Sequence, residues 1–222
     1  GVYHGRFTVM RGGREGEPLV IEGMKGAVID ASVPGVDMGK WKPAPEVGKG
    51  VFKAKLPFEP MTMTWKGRYT IRLRDEFMSG DASKGFRRLR LGPYARLGWD
   101  EKKFHSFEGV EVVWGVKEGM TYIHFRDDRD PGKEALSWAP GMFWWDDRKA
   151  DKEYAVARDC WGCFNLRKVK HVTIRGLTLR NGLYGVCLKD AHRCVVEGCS
   201  IVACDFGVWV GWGSGENRIR KN

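Results

Sequence analysis

HVTIRGLTLRNGLYGVCL, residues 171–188, is the stretch whose reading decides the fold. Short runs in it alternate apolar and polar, as in Val172-Thr173-Ile174-Arg175, which is the period-2 mark of strands. Glycines and small polar residues separate the runs and mark turns. The pattern returns 22 residues later: Gly176 falls on Gly198, Leu179 on Ile201, Tyr184 on Phe206, Gly185-Val186 on Gly207-Val208, and Leu188 on Val210. Upstream, Phe164 and Leu166 fall under Val186 and Leu188. Downstream, with one extra residue, Ile219 falls on Val196 and Arg220 on Glu197. A unit of this length with three short strands and no helix-period segment predicts a parallel β-solenoid. Its coils rise by about 4.8 Å, so equivalent residues stack into ladders. Strands are expected near 172–175, 177–180 and 185–189, and again 22 residues on. Tyr184 should stack on Phe206, and the glycine pairs 176/198 and 185/207 should mark tight turns or bends.

The composition agrees with this reading. The chain has 222 residues, 30 of them glycine and only 9 proline, which is too much glycine for a helical bundle. Hydrophobic residues at 42% and charged ones at 30% exclude wholesale disorder. No run approaches 18 uncharged apolar residues, so no transmembrane helix and no membrane insertion are expected. The chain opens at Gly1 without Met and stops within a pattern at Asn222, so it reads as a fragment that carries no signal peptide.

The segment from Cys160 to the end resembles the right-handed parallel β-helix, or pectate-lyase-like, superfamily. Gly1-Val2-Tyr3-His4-Gly5, Pro18-Leu19-Val20-Ile21 and Gly26-Ala27-Val28-Ile29-Asp30 resemble the opening coils of secreted members. The expected architecture is all-β. A right-handed parallel β-helix has its first coils in residues 1–32, is interrupted by a β-sandwich-like insertion over 33–150, and resumes over 151–222. The interruption lacks the 22-residue repeat and holds seven of the ten tryptophans. It shows strand-like runs at Val51–Leu56, Tyr69–Leu73, Val110–Trp114 and Met120–Phe125. Its phrase MTYIHFRDDRDP (residues 120–131) resembles the end of a sandwich inserted into some β-helix glycosidases.

Because core positions of such a fold are filled, its chemistry is expected on outward ladders. Alternation places Arg175, Glu197 and Arg220 in one column, Asn165, Cys187 and Trp209 in a second, and Arg167, Lys189 and Gly211 in a third. The first column reads most simply as a surface ion ladder. Its functional reading is a carboxylate tuned by flanking arginines for acid–base work. Glu197 and Asp205 are thus the candidate catalytic carboxylates, and Arg175, Lys189, Trp209 and Trp212 the candidate substrate-binding residues. A groove between insertion and helix, lined by Lys189, Glu197, Asp205 and Trp209, is the expected site. Solenoid packing is the plainer explanation of the two tryptophans, and turn capping that of Asp205.

Cys160-Trp161-Gly162-Cys163 has redox-motif spacing without a βαβ setting. Cys194 and Cys199 fall on core positions, Cys187 faces outward and Cys204 lies near a corner, so structural thiols are expected. The five histidines show no zinc-type spacing, so no metal is expected, and no cofactor. The net charge of +10 suits acidic glycans better than nucleic acid, for which no motif is present. By resemblance, the expected function is a glycoside hydrolase or polysaccharide lyase acting on a plant or algal polysaccharide. The competing expectation is a non-catalytic glycan-binding or surface-adhesion solenoid. Either belongs in a secreted, periplasmic or cell-surface setting.

Overall fold

The alternating runs fold as strands. The computed structural model describes residues 1–34, 41–73, 96–98, 104–106, 111–140, 162–211 and 213–222, and over these the chain is all-β apart from one 3-10 turn, Pro131–Lys133. Four strands open it: β1 (Val2–His4), β2 (Phe7–Val9), β3 (Leu19–Glu22) and β4 (Val28–Asp30). Then come β5 (Lys42–Pro43), β6 (Val51–Ala54), β7 (Pro60–Trp65), β8 (Arg68–Tyr69) and β9 (Ile71–Leu73). They are followed by β10 (Arg96–Gly98), β11 (Phe104–Ser106), β12 (Val112–Lys117), β13 (Met120–Phe125) and β14 (Leu136–Pro140). The last strands are β15 (Gly162–Arg167), β16 (Val172–Arg175), β17 (Thr178–Arg180), β18 (Tyr184–Lys189), β19 (Val195–Glu197), β20 (Ser200–Val202), β21 (Phe206–Val210) and β22 (Arg218–Arg220).

The first and last groups share three four-stranded sheets, β1-β4-β17-β20, β2-β15-β18-β21 and β3-β16-β19-β22. Every pairing in them is parallel. Register follows the repeat: Ile174 pairs with Val196, Leu179 with Ile201, Val186 with Val208 and Leu188 with Val210. Val196 pairs with Ile219 across the extra residue. The opening strands take the same ladders, Ile21 beside Ile174, Ile29 beside Leu179 and Phe7 beside Phe164. Inward positions of all three sheets bury one apolar core that includes Leu166, Ile174, Leu179, Val186, Leu188 and Val196. Cys194 and Cys199 sit in it, as their positions predicted.

The corners repeat as strictly as the strands. Left-handed backbone recurs at Lys168 and Asp190, at His171, Arg193 and Glu216, at Gly176, Gly198 and Lys221, and at Asn181 and Ala203, with φ between 52° and 66°. A side chain in that region costs roughly 1–2 kcal/mol, so the stacked sheets hold these corners against local preference. Ala203, at φ 54°, carries no side-chain bond that would be lost. Ala203→Gly is therefore expected to raise Tm by about 2 °C after glycine's own entropy cost. An unchanged or lower Tm in a thermal melt contradicts the reading.

The glycine expectation needs one correction. Gly176 and Gly198 lie at turns, but Gly185 and Gly207 lie inside β18 and β21 without positive φ. A Cβ on Gly185 would stand 2.4 Å from Ile201 Cγ2 and 2.6 Å from the Gly207 carbonyl oxygen. Close approach of the next strand explains Gly185, not a turn.

The middle strands form a five-stranded sheet, β5-β6-β13-β12-β9, a three-stranded one, β14-β7-β8, and the pair β10-β11. All their pairings are antiparallel except β9 with β12. The first two sheets enclose a second core in which Trp114 meets Trp138 edge-on at 5.3 Å, with Met63, Ile123 and Phe125 around them. Three tryptophans of the interruption, Trp41, Trp114 and Trp138, thus serve packing. The two strand groups touch where Val33 N–H donates to the Trp138 carbonyl (3.0 Å) and Thr62 Oγ1 to the Asn181 carbonyl (3.2 Å).

Candidate functional site

The outward face of β2-β15-β18-β21 departs from simple alternation. Val186 and Leu188 point into the core, yet a Cβ on Gly185 would also point there, toward Ile201. Two successive inward positions release Tyr184 to the outer side. The same break occurs at Cys163-Phe164, both of them core residues. There the Asn165 side chain holds the kink, accepting from Gly162 N–H and donating to the Gly162 carbonyl, each at 3.2 Å.

Tyr184 lies with its ring centre 5.4 Å from Phe206 and 5.6 Å from Trp209, tilted by 32° and 34° against them. The expected Tyr184–Phe206 pair is therefore present, and Trp209 extends it into a three-ring shelf. Trp209 lies across its own strand, since a Cβ on Gly211 would stand 2.0 Å from Cη2 of the indole. Glycine at 211 leaves room for the ring. Met61, from β7, closes one side, packing with Leu183, Tyr184 and Cys187. Phe206 is half exposed and Trp209 half buried, whereas Tyr184 and Cys187 are covered. Cys187 thus points away from the main core, as expected, but is not accessible. Burial, with the neighbouring Cys187 and Asp205, pushes the Tyr184 phenol up to about 12, so it stays a neutral donor at physiological pH.

The structure brings some predicted residues together and separates others. Trp209 and Lys189 belong to the sheet of the shelf, with Lys189 beside Arg167 at the strand ends, and Asp205 immediately precedes β21. Arg175 and Glu197 belong to another sheet, β3-β16-β19-β22. There the expected column resolves into two ion pairs, Arg175 donating to Glu22 at 3.0 Å and Arg220 to Glu197 at 2.6 Å. The expected groove lined by both Glu197 and Trp209 is thus not assembled, because the two lie on separate sheets. Trp212, Cys160 and Trp161 lie outside the described residues. Among the described residues, no cluster of His, Cys, Asp and Glu is arranged to hold a metal ion. No helix there is long and apolar enough to cross a membrane.

Met61 went unread in the sequence, although the Met-Thr-Met-Thr alternation of residues 61–64 was its signal. A second cluster, around Asp30, had no such signal. The buried Asp30 carboxylate accepts at Oδ1 from Ser32 N–H (2.9 Å), Ser32 Oγ (2.6 Å) and Asn181 Nδ2 (2.8 Å), and at Oδ2 from Arg180 Nε (2.7 Å). Burial alone would raise its pKa, but these four donors outweigh burial and hold it below the ordinary value. The cluster ties β4 to the β17–β18 corner. No family model matches the chain, and neither a curated protein nor a solved structure matches it.

Proposed function

We propose that this chain is part of a carbohydrate-active protein built on a right-handed parallel β-helix of the pectate-lyase-like kind. Residues 33–150 would then be its sandwich-like insertion, and the setting secreted, periplasmic or cell-surface. Within this reading the chain binds an extended glycan across the outer face of β2-β15-β18-β21. One observation carries it: the accessible rings of Phe206 and Trp209 form a shelf over the buried Tyr184 ring, beside Met61. Such rings offer the apolar C–H face of a sugar a flat partner, while Asp205 and Lys189 stand near for its hydroxyls. Successive strands are about 4.8 Å apart, close to the length of one sugar residue along a chain. Arg167 and Lys189 at the strand ends suit an acidic glycan.

The activity of such a protein is glycoside hydrolysis or polysaccharide lysis. A non-catalytic binder is the second reading, favoured by the separation of Glu197, which ends β19, from Asp205, which precedes β21 of another sheet. Hydrolysis needs paired carboxylates about 5–9.5 Å apart across one sugar. Incubating the protein with a panel of neutral and acidic plant and algal polysaccharides separates the three outcomes. Reducing ends report hydrolysis, unsaturated uronate absorbance reports lysis, and retention without product reports binding. Trp209→Ala is expected to weaken retention about tenfold, the worth of one aromatic stacking contact, with circular dichroism unchanged. Absence of retention on every polysaccharide, or equal retention by the folded variant, overturns the proposal.

A further inference from the structure

Two thiols meet where β15 passes under the corner that follows β20. Cys163 Sγ donates to the Arg180 carbonyl at 3.4 Å, and Cys204 Sγ to the Val202 carbonyl at 3.6 Å. Arg180 and Val202 are direct partners in the β17–β20 pair, so the two sulfurs rest on carbonyls one strand spacing apart. The chain around them is drawn close as well. Gly182 passes so near Cys163 that a Cβ there would stand 3.3 Å from its sulfur, and Asp205 N–H, next to Cys204, donates to the Gly182 carbonyl at 3.3 Å. The two thiols are close enough that each shifts the other's acidity. Cys163 is fully buried in the main core, and Cys204 is partly exposed at its margin.

We propose that Cys163 and Cys204 are an oxidisable pair that closes into a disulfide on exchange with a low-molecular-weight disulfide. The partly exposed sulfur reacts first. Its contact with Cys163 lowers the Cys204 thiol below its ordinary value, while the same contact and burial push Cys163 up. Cys204 thiolate attacks one sulfur of the small disulfide, the S–S bond breaks, and one small thiolate leaves and takes up the proton Cys204 gave. Cys163 then attacks the Cys204 sulfur of the mixed disulfide and expels the second small thiol, which carries away the Cys163 proton. Two protein thiols are oxidised and one small disulfide is reduced to two thiols. The new bond pins β15 to the β20–β21 corner, directly behind the aromatic shelf.

The test equilibrates the full chain, folded, in buffers of graded oxidised and reduced glutathione, quenches by alkylation and maps the peptides by mass spectrometry. The expected result is a cross-linked peptide joining Cys163 to Cys204, two hydrogens lighter than the reduced pair, with alkylation of both falling at least tenfold together. Cys204→Ser should abolish that peptide, Cys187→Ser should leave it, and oxidation should raise Tm by about 5–10 °C in the unsubstituted chain and in Cys187→Ser but not in Cys204→Ser. Stable glutathione on Cys204 with Cys163 still reduced, or a cross-link from either cysteine to Cys160 or another thiol, overturns the proposal.

Discussion

Asp30→Ala is expected to lose about 3–5 kcal/mol of stability, because removing one partner strands the others of a buried charged cluster. Asp30 is 2% exposed, and its loss would leave Ser32, Asn181 and Arg180 without their shared acceptor. Arg180 is over a third exposed on its side chain and can turn to water, which favours the lower end of that range. Asp30→Asn keeps an acceptor at one oxygen and should lose less. The pH dependence has a definite sign. The folded pKa lies below the unfolded one, so the carboxylate's contribution is complete above about pH 4 and fades as pH falls through the lower folded value. Denaturant titrations of wild type and Asp30→Asn should therefore differ most at neutral pH and converge in acid. Equal stability at pH 7 would mean that the cluster contributes nothing.

Trp138→Ala should be comparably severe, at about 3–5 kcal/mol for a large side chain lost from a packed core. Trp138 is 1% exposed, lies edge-on to Trp114 and tilted against Trp41. Its indole N–H is buried without a partner among the described residues. Trp138→Phe removes that unsatisfied donor while keeping most of the ring, so it should cost less than half as much. Its carbonyl receives the Val33 N–H where the chain leaves the parallel sheets. Fluorescence and circular dichroism melts of both variants check the ordering, and a Phe variant as unstable as the Ala one contradicts it.

The parallel sheets were legible because stacking gives equivalent positions the same surroundings. Val186 and Val208, or Ile174 and Val196, must be alike since each fills the same slot one strand further along. The corners were legible only where glycine marked them, at 176 and 198. Lys168, His171, Arg193 and Ala203 adopt the same left-handed backbone because neighbouring strands impose it, and nothing in those side chains announces it. The shelf was half visible. Trp209 and the Tyr184–Phe206 pair followed from the repeat, but strict period-2 reading hides the break at Gly185-Val186 that turns Tyr184 outward. Asp30 was invisible as a node because its partners Arg180 and Asn181 arrive from the far side of the middle strands. Alternation likewise assigned Glu197 an outward position without stating which sheet it shares with Trp209, and the two share none.

Everything proposed about function rests on the stacking of successive turns of the chain into one column. Methyl-labelled NMR measures that stacking in solution through Ile21, Ile174, Val196 and Ile219, which occupy one ladder of β3-β16-β19-β22. The account predicts direct methyl contacts from Ile21 to Ile174, from Ile174 to Val196 and from Val196 to Ile219, with Val186 contacting Val208 in the neighbouring sheet. Absence of the Ile174–Val196 and Val186–Val208 contacts in the folded protein, with both residues' methyl signals resolved, would contradict it.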